Sequence, residues 1–159
     1  MYGGNLVESK IELKKVEAKP VLSVRLETTI DELPSLINDS YRRIAEYLAE
    51  LGEAPADAPF AAYYRLDTQS IDIEFGVPVS KNLPGKDDIK AGETVPGDAV
   101  VYVHEGPYTD LKPVYQELFD WIGENGCKPK GLYYEYYFNS PGDVAEKNLS
   151  TRIVIPVEK

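Results

Sequence analysis

The feature that most constrains the fold of this chain is an internal repeat with a period of 78 residues. Leu33 and Leu111 are separated by this distance, and so are Val79 and Val157. In each half, strand-like alternation precedes a stretch with helical spacing of apolar side chains, and two more strand-like stretches follow. Because element order, spacing and chain ends agree, a duplication explains them better than chance does. The sequence predicts an α+β fold of two like halves.

Each half reads as a β-β-α-β-β unit whose helix is ended by a glycine, Gly52 in the first half and Gly126 in the second. In the first half the pattern predicts strands over 11–16, 21–26, 60–66 and 71–79 and a helix over 33–51. In the second half it predicts strands over 95–104, 132–138 and 150–157 and a helix over 111–122 that Thr109-Asp110 caps. The strand over 95–104 is expected to pair with the residues just before it. We predict one domain with repeats at about 11–81 and 89–159, preceded by a tail over 1–10.

Composition restricts the partners and the compartment. With 27 acidic and 17 basic side chains the formal net charge is −10, which repels phosphate backbones and argues against direct nucleic-acid binding. A single cysteine, Cys127, and a single histidine, His104, leave no disulfide and no zinc-ligand set, so we expect no metal and no cofactor. No apolar run approaches the roughly 18 residues that span a bilayer. We expect a cytoplasmic protein that does not enter the membrane.

The segment GLYYEYYFNSP, residues 131–141, places one carboxylate among four tyrosines on a predicted strand. Alternation puts Tyr133, Glu135 and Tyr137 on one face, and we expect the opposite face to pack on the core. A carboxylate on a face shielded from water costs free energy unless a positive or hydrogen-bonding group meets it. A flat hydrophobic cation would satisfy this requirement. The competing interpretation is a solvated surface glutamate.

Two like sheets related by a pseudo-twofold axis would leave a seam, and small-molecule sites form at such seams. The strand that corresponds to 132–138 is 60–66, in which alternation places Ala61, Tyr63 and Arg65 on one face. If the two strands face each other, Tyr63 lies across from Glu135. The sequence thus predicts a central cleft with tyrosines from both halves and one acid.

Four segments resemble signature stretches of the GyrI-like domain, the effector-binding domain of bacterial multidrug-responsive transcription regulators. They are YVHEGPY at 102–108, FDWIGENG at 119–126, YEYYFNSP at 134–141 and STRIVIPVEK at 150–159. The resemblance implies duplicated βαββ (SH2-like) halves, two antiparallel sheets, two main helices and a central cleft for lipophilic, often cationic, aromatic compounds. The family's acid falls on Glu135 and its tyrosine on Tyr137. Ser140 departs from the aspartate that is more usual there.

Three functions are compatible with these observations. The first is a stand-alone protein that senses or sequesters small hydrophobic or cationic ligands, since ten residues before the first strand are too few for a helix-turn-helix. Its predicted ligand-binding residues are Glu135, Tyr137, Tyr133, Tyr63, Tyr102 and Trp121. For Trp121, a place in the core is the competing interpretation.

The second function is enzymatic, because some stand-alone proteins that resemble this family hydrolyse strained cyclopropane rings of toxic alkylating compounds. Under this hypothesis Glu135 takes a proton from water, and Tyr137 hydrogen-bonds the oxygen on which charge develops. The third is inhibition of DNA gyrase by protein contact, since the family includes such an inhibitor. The acidic residues are spread along the chain without the dense run that mimicry of a nucleic acid would favour.

Overall fold

The computed structural model describes residues 10–67, 69–139 and 142–159. Residues 1–9 of the predicted tail, together with Ser140 and Pro141 of the tyrosine-rich segment, lie outside the described residues. The chain divides into two compact units. The first unit is Glu17–Val95, and the second combines 10–16 with Pro96–Lys159.

The fold is α+β, as predicted, with antiparallel strands and two α-helices. In chain order the elements are β1 (Glu12–Val16), β2 (Pro20–Thr28), α1 (Leu33–Leu51), β3 (Phe60–Asp67), β4 (Ser70–Pro78), β5 (Lys90–Glu93), β6 (Gly97–Glu105), α2 (Leu111–Glu124), β7 (Lys128–Pro129), β8 (Tyr133–Tyr137) and β9 (Ser150–Glu158). Both helices begin at the predicted leucines, 78 residues apart. Asp110 is the N-cap residue of α2 as expected, although its side chain makes no capping hydrogen bond.

In the first unit the strand order is β3-β4-β2-β5, and helix α1 covers one face. Apolar side chains that alternate along β2 and β4 pack against the stripe of α1 that contains Ile44 and Leu48. The helix ends at Gly52, whose φ of 70° is a left-handed conformation that glycine adopts without a steric penalty. This unit has one strand before its helix and two after it, where the periodicity predicted two before it, because β1 pairs with β6 in the second unit. Strand β5 is added at the edge next to β2.

In the second unit the strand order is β8-β9-β6-β1, with β7 paired to the end of β9. Helix α2 covers one face through Val114, Leu118 and Ile122, which pack on the alternating apolar residues of β6 and β9. Within each unit the strands therefore carry one helix on one face. That helix-covered face is where the acid of the tyrosine-rich strand lies.

The pairing predicted for the strand over 95–104 is wrong. Strand β6 pairs with β1 and β9, whereas the preceding strand β5 pairs with β2. Pro96, which has no backbone N–H to donate to a strand ladder, lies between β5 and the start of β6 at Gly97. Thr94 instead exchanges hydrogen bonds with Lys19 at the start of β2. Each short strand thus pairs outside its own predicted repeat.

A β-bulge in β3 overturns a second expectation. Tyr63 pairs with Ile73, and Arg65 pairs with Asp72, so the register shifts by one residue between them. Tyr63 faces α1, whereas Arg65 turns to the opposite face and donates to Glu27 at 3.2 Å. Tyr63 and Arg65 therefore do not share a face as simple alternation predicted.

Candidate functional site

Strand β8 presents Glu135 to the same face that helix α2 covers. Glu135 is directly opposite Ile153 of β9, which is opposite Tyr102 of β6, and both of these partners belong to the core beneath α2. In an antiparallel pair, opposed residues share a face. Tyr134 and Tyr136 on the other face of β8 are buried as expected, so both faces of this strand are covered. The carboxylate lies at the margin of the core and is only 7% exposed.

Each oxygen of the Glu135 carboxylate accepts a hydrogen bond from a tyrosine. Tyr137 Oη donates to Oε1 at 2.7 Å, and Tyr115 Oη on α2 donates to Oε2 at 2.5 Å. Such bonds to a charged acceptor are short and about twice as strong as neutral ones. They offset part of the cost of burying a carboxylate. They also tie helix α2 to strand β8 at the acid.

Five aromatic rings gather around this carboxylate, and we call them the Glu135 aromatic cluster. Its members are Tyr108, Tyr115, Phe119, Tyr133 and Tyr137. The Tyr115 and Tyr133 rings are closest, at 4.8 Å between centroids, and Tyr108 meets Tyr137 edge-on at 6.0 Å. Tyr108 and Phe119 are 38% and 37% exposed. The cluster thus extends from a buried acid to rings that reach solvent.

The negative charge of Glu135 is felt by two phenols of the cluster. Burial raises the pKa of Tyr133 from 10.0 to about 12, and the charge of Glu135 adds to the shift. The pKa of Tyr108 is raised by the same two causes in the same order. A negative charge resists the formation of a second one nearby. Both phenols therefore stay neutral near neutral pH.

Helix α2 supplies two members of the cluster through its periodicity. Tyr115 and Phe119 are four residues apart, so both project from one side of the helix, next to the stripe that fills the core. Tyr108 lies in the short 3-10 turn before α2. The sequence pattern did not indicate that these three residues belong to the site. The signal that could have identified them is the i, i+4 aromatic pair beside an apolar stripe, on the helix that follows the Tyr108 turn.

The other predicted ligand residues are distributed differently. Tyr102 is buried in the core of the second unit, where burial and then the charge of Glu117 raise its pKa. Trp121 packs against the same core. Tyr63 belongs to β3 of the first unit. The structure brings Tyr133 and Tyr137 together with Glu135, and it places Tyr102 and Trp121 in the hydrophobic layer of the same unit.

Asn139, the next residue of the predicted motif on this face, has a clear local role. Its amide nitrogen donates to the carbonyl of Asn148 at 3.1 Å, and its Oδ1 accepts from the backbone N–H of Ser150 at 2.9 Å. These bonds join the end of β8 to the start of β9. Asn139 therefore anchors the loop after Glu135 and Tyr137.

A row of polar residues borders the site at the next position along the strands. His104, Thr151 and Tyr137 lie side by side on β6, β9 and β8. His104 is buried, with Nε2 3.3 Å from the Pro107 carbonyl oxygen. The Thr151 hydroxyl is fully buried, and none of the described residues forms a hydrogen bond with it. An orphan hydroxyl of this kind costs folding free energy.

Across residues 10–67, 69–139 and 142–159, no cluster of three His, Cys, Asp or Glu side chains is arranged to hold a metal ion. None of the helices in that part of the chain has the length and hydropathy needed to cross a membrane.

Comparison with known structures identifies the fold. The EcmrR–DNA complex in EcmrR-RPo superposes with a TM-score of 0.79 at 23% identity over 94% of this chain, which spans 57% of the EcmrR chain. The isolated EcmrR C-terminal domain gives 0.72 at 22% identity, with 94% of this chain and 97% of that domain covered. A hydrolase from Listeria innocua gives 0.69 at 15% identity, covering 94% and 92%. SAV2435 bound to tetraphenylphosphonium gives 0.63 at 11% identity, covering 93% of both chains.

A search of curated proteins gave no match. The sequence over residues 9–158 matches the family described as GyrI-like small molecule binding domain. This match covers nearly the whole chain, and the antiparallel α+β fold agrees with it. The chain therefore belongs to the GyrI-like small-molecule-binding domain family.

Proposed function

We propose that this protein binds small lipophilic aromatic cations at the Glu135 aromatic cluster. The observation that carries the proposal is a buried carboxylate, held by two phenols, at the inner end of five aromatic rings that reach solvent. Ring faces attract a cation by about 0.5–2 kcal/mol each when the cation is desolvated. The carboxylate adds a charge that water screens only weakly at this depth. Membership of a small-molecule-binding family supports this assignment.

The ligand of a structural relative is consistent with this chemistry. SAV2435, which shares the fold, is bound to tetraphenylphosphonium, a cation surrounded by aromatic rings. Rigid tyrosine side chains offer broad flat surfaces at low entropic cost, so we expect the site to accept several ligands of this class. Sensing, sequestration and resistance are the roles that such binding would serve.

The finer architecture is part of the same proposal. We infer that the two units derive from a duplication, because the strand orders β3-β4-β2-β5 and β8-β9-β6-β1 follow the same sequence of elements. The prediction that Tyr63 also contributes to the site, at a cleft between the repeats, stays with this proposal. A Tyr63→Ala variant tests it, since a ligand-contacting ring would lose affinity on truncation.

The test is a titration with tetraphenylphosphonium by calorimetry and with rhodamine 6G by fluorescence. We expect dissociation constants in the micromolar range, about −8 kcal/mol. Glu135→Gln removes the charge but keeps the shape, and we expect it to weaken binding by about tenfold or more. Glu124→Gln makes the same charge change at an exposed position on α2 and should leave the affinity within about twofold. Equal affinity of the Glu135→Gln variant and the wild type would refute the proposal.

A second candidate function is hydrolysis of strained cyclopropane rings in alkylating compounds. The observation that favours it is the Glu135–Tyr137 pair, a carboxylate and a phenol 2.7 Å apart at a partly shielded site. Glu135 would take a proton from water as the water oxygen bonds to a ring carbon. The ring bond breaks and its electrons pass to the conjugated carbonyl oxygen, to which Tyr137 turns its single O–H from Glu135. The proton that Glu135 took from water then passes to the product. The fold is shared with a hydrolase from Listeria innocua.

Mass spectrometry of a cyclopropane-bearing substrate separates the two functions. Hydrolysis predicts a product heavier by one water that forms with wild type and Glu124→Gln and is lost in Glu135→Gln. Binding without chemistry predicts that the substrate is recovered unchanged after hours of incubation with saturating protein.

A further inference from the structure

The Glu135 carboxylate is already engaged on both oxygens. Tyr137 donates to Oε1 and Tyr115 donates to Oε2, at 2.7 and 2.5 Å. The two donors come from different elements, β8 and α2, and the Tyr115 ring is packed against Tyr133 and Phe119. A ligand that approaches this acid therefore meets a carboxylate with a strong hydrogen bond on each oxygen.

Two kinds of organic cation would respond differently to this arrangement. A primary ammonium carries three N–H donors, and each loses a water on entering an aromatic site and requires an acceptor there. To bond the carboxylate directly it must displace Tyr115 or Tyr137, or share with one of them an oxygen that already accepts a strong hydrogen bond. A quaternary ammonium or a tetraarylphosphonium has no such donors. It can use the charge of Glu135 and the ring faces while both phenol bonds stay intact.

The Glu135 aromatic cluster surrounds its one carboxylate with five aromatic rings. Among the described residues, the Tyr115 ring packs against the rings of Phe119 and Tyr133, and the Tyr137 ring meets that of Tyr108. These surfaces stabilise a diffuse positive charge without directional bonds. The acid therefore acts through its field more than through a direct salt bridge.

We propose that the site selects cations without hydrogen-bond donors over primary ammonium cations built on the same aromatic skeleton. This selectivity rests on the proposed function. Tyr115 and Tyr137 are its specificity-determining residues, because they occupy the carboxylate oxygens that an ammonium would need. Removing either phenolic oxygen should open the acid to ammonium ligands.

The test compares (4-phenylbenzyl)trimethylammonium with (4-phenylbenzyl)ammonium by calorimetry at pH 7, in wild type, Tyr115→Phe and Tyr137→Phe. For the wild type we expect the quaternary compound to bind about tenfold more tightly. In each variant we expect the primary ammonium to bind more tightly than it does to wild type, so that the ratio falls by about fivefold. The three methyl groups make the quaternary compound more hydrophobic than the primary one. This difference is the same for every protein variant, so it cancels when the affinity ratios of variant and wild type are compared. Tyr47→Phe on α1, which deletes a phenol bonded to the Pro84 carbonyl, should leave the ratio unchanged.

The outcomes separate the selectivity from the function beneath it. Binding of both compounds with the same ratio in wild type and in both phenylalanine variants would overturn the selectivity and leave cation binding intact. Failure of both compounds to bind the wild type would refute the proposed function, and the selectivity with it. Two independent variants, each lacking one oxygen atom, guard against a local folding defect in either one.

Discussion

Deleting the phenolic oxygen of Tyr115 should cost more stability than the same deletion at Tyr47, whose hydrogen bond goes to an uncharged acceptor. Tyr115→Phe keeps the ring contacts but removes the 2.5 Å hydrogen bond to Glu135 Oε2. Glu135 is buried, so the carboxylate oxygen cannot recover a full water shell. A hydrogen bond to a charged group contributes about 1.5–3 kcal/mol. For a chain of this size, about 2 kcal/mol corresponds to a melting temperature lower by roughly 4–8 °C.

Tyr47→Phe on α1 is the matched control. Tyr47 is also buried, and its Oη donates to the uncharged carbonyl oxygen of Pro84 at 2.8 Å. The same atom is deleted, but the acceptor is neutral, so the expected loss is about 0.5–1.5 kcal/mol. Chemical denaturation followed by circular dichroism at pH 7 gives the unfolding free energy of both variants.

The double variant Tyr115→Phe with Glu135→Gln isolates the pair. If the phenol stabilises the protein through the carboxylate, the two losses should be smaller together than in sum by about 1 kcal/mol or more. Equal losses in Tyr115→Phe and Tyr47→Phe, together with additive losses in the double variant, would refute the claim that Tyr115 stabilises a buried charge.

Three further predictions concern packing and titration. Gly76→Ala should lower the unfolding free energy by about 2–4 kcal/mol, because the new Cβ would lie 2.3 Å from the buried ring of Phe60. In the same denaturation assay Gly123→Ala on α2 should raise it by about 0.5–1 kcal/mol, since a Cβ there meets no atom within 4 Å. Thr151→Val should raise the melting temperature, since it removes a buried hydroxyl without a partner; a lower melting temperature would contradict this. The pKa of Tyr133 is about 12 in the folded protein and 10.0 in the unfolded chain, so the unfolded chain loses this proton first as the pH rises. The contribution of Tyr133 to the unfolding free energy should therefore be fully present below pH 10 and decline between pH 10 and 12. Tyrosine absorbance at 295 nm and denaturation of Tyr133→Phe, which should lack that part of the decline, measure this effect.

Local patterns in the sequence predicted most of the secondary structure. The starts of the two helices, at Leu33 and Leu111, follow from the spacing of apolar residues. The end of α1 follows from Gly52, whose positive φ an L-residue rarely adopts. Alternation in the tyrosine-rich strand also placed Tyr133 and Tyr137 beside Glu135. These properties depend on neighbours within a few residues, so they can be read from one sequence.

Strand pairing and backbone register were harder to predict from the sequence. The partners of β1 and β5 depend on strand edges supplied by distant segments. Pro96 and Gly97 mark a break between β5 and β6, but they do not indicate which strands these two pair with. The bulge that separates Tyr63 from Arg65 adds one residue without a distinctive sequence mark. A shift of one residue moves every later side chain to the other face.

The sequence by itself determined that this chain has an α+β fold and an acid among tyrosines, because strand alternation and helical spacing are local physical properties. Only the tertiary structure decided what surrounds that acid. Tyr115 and Phe119 come from a helix, and Tyr108 comes from the turn before it, so their meeting with Glu135 depends on how α2 packs on the sheet. Packing of one element on another is set by the summed shape of many side chains, and no single motif encodes it.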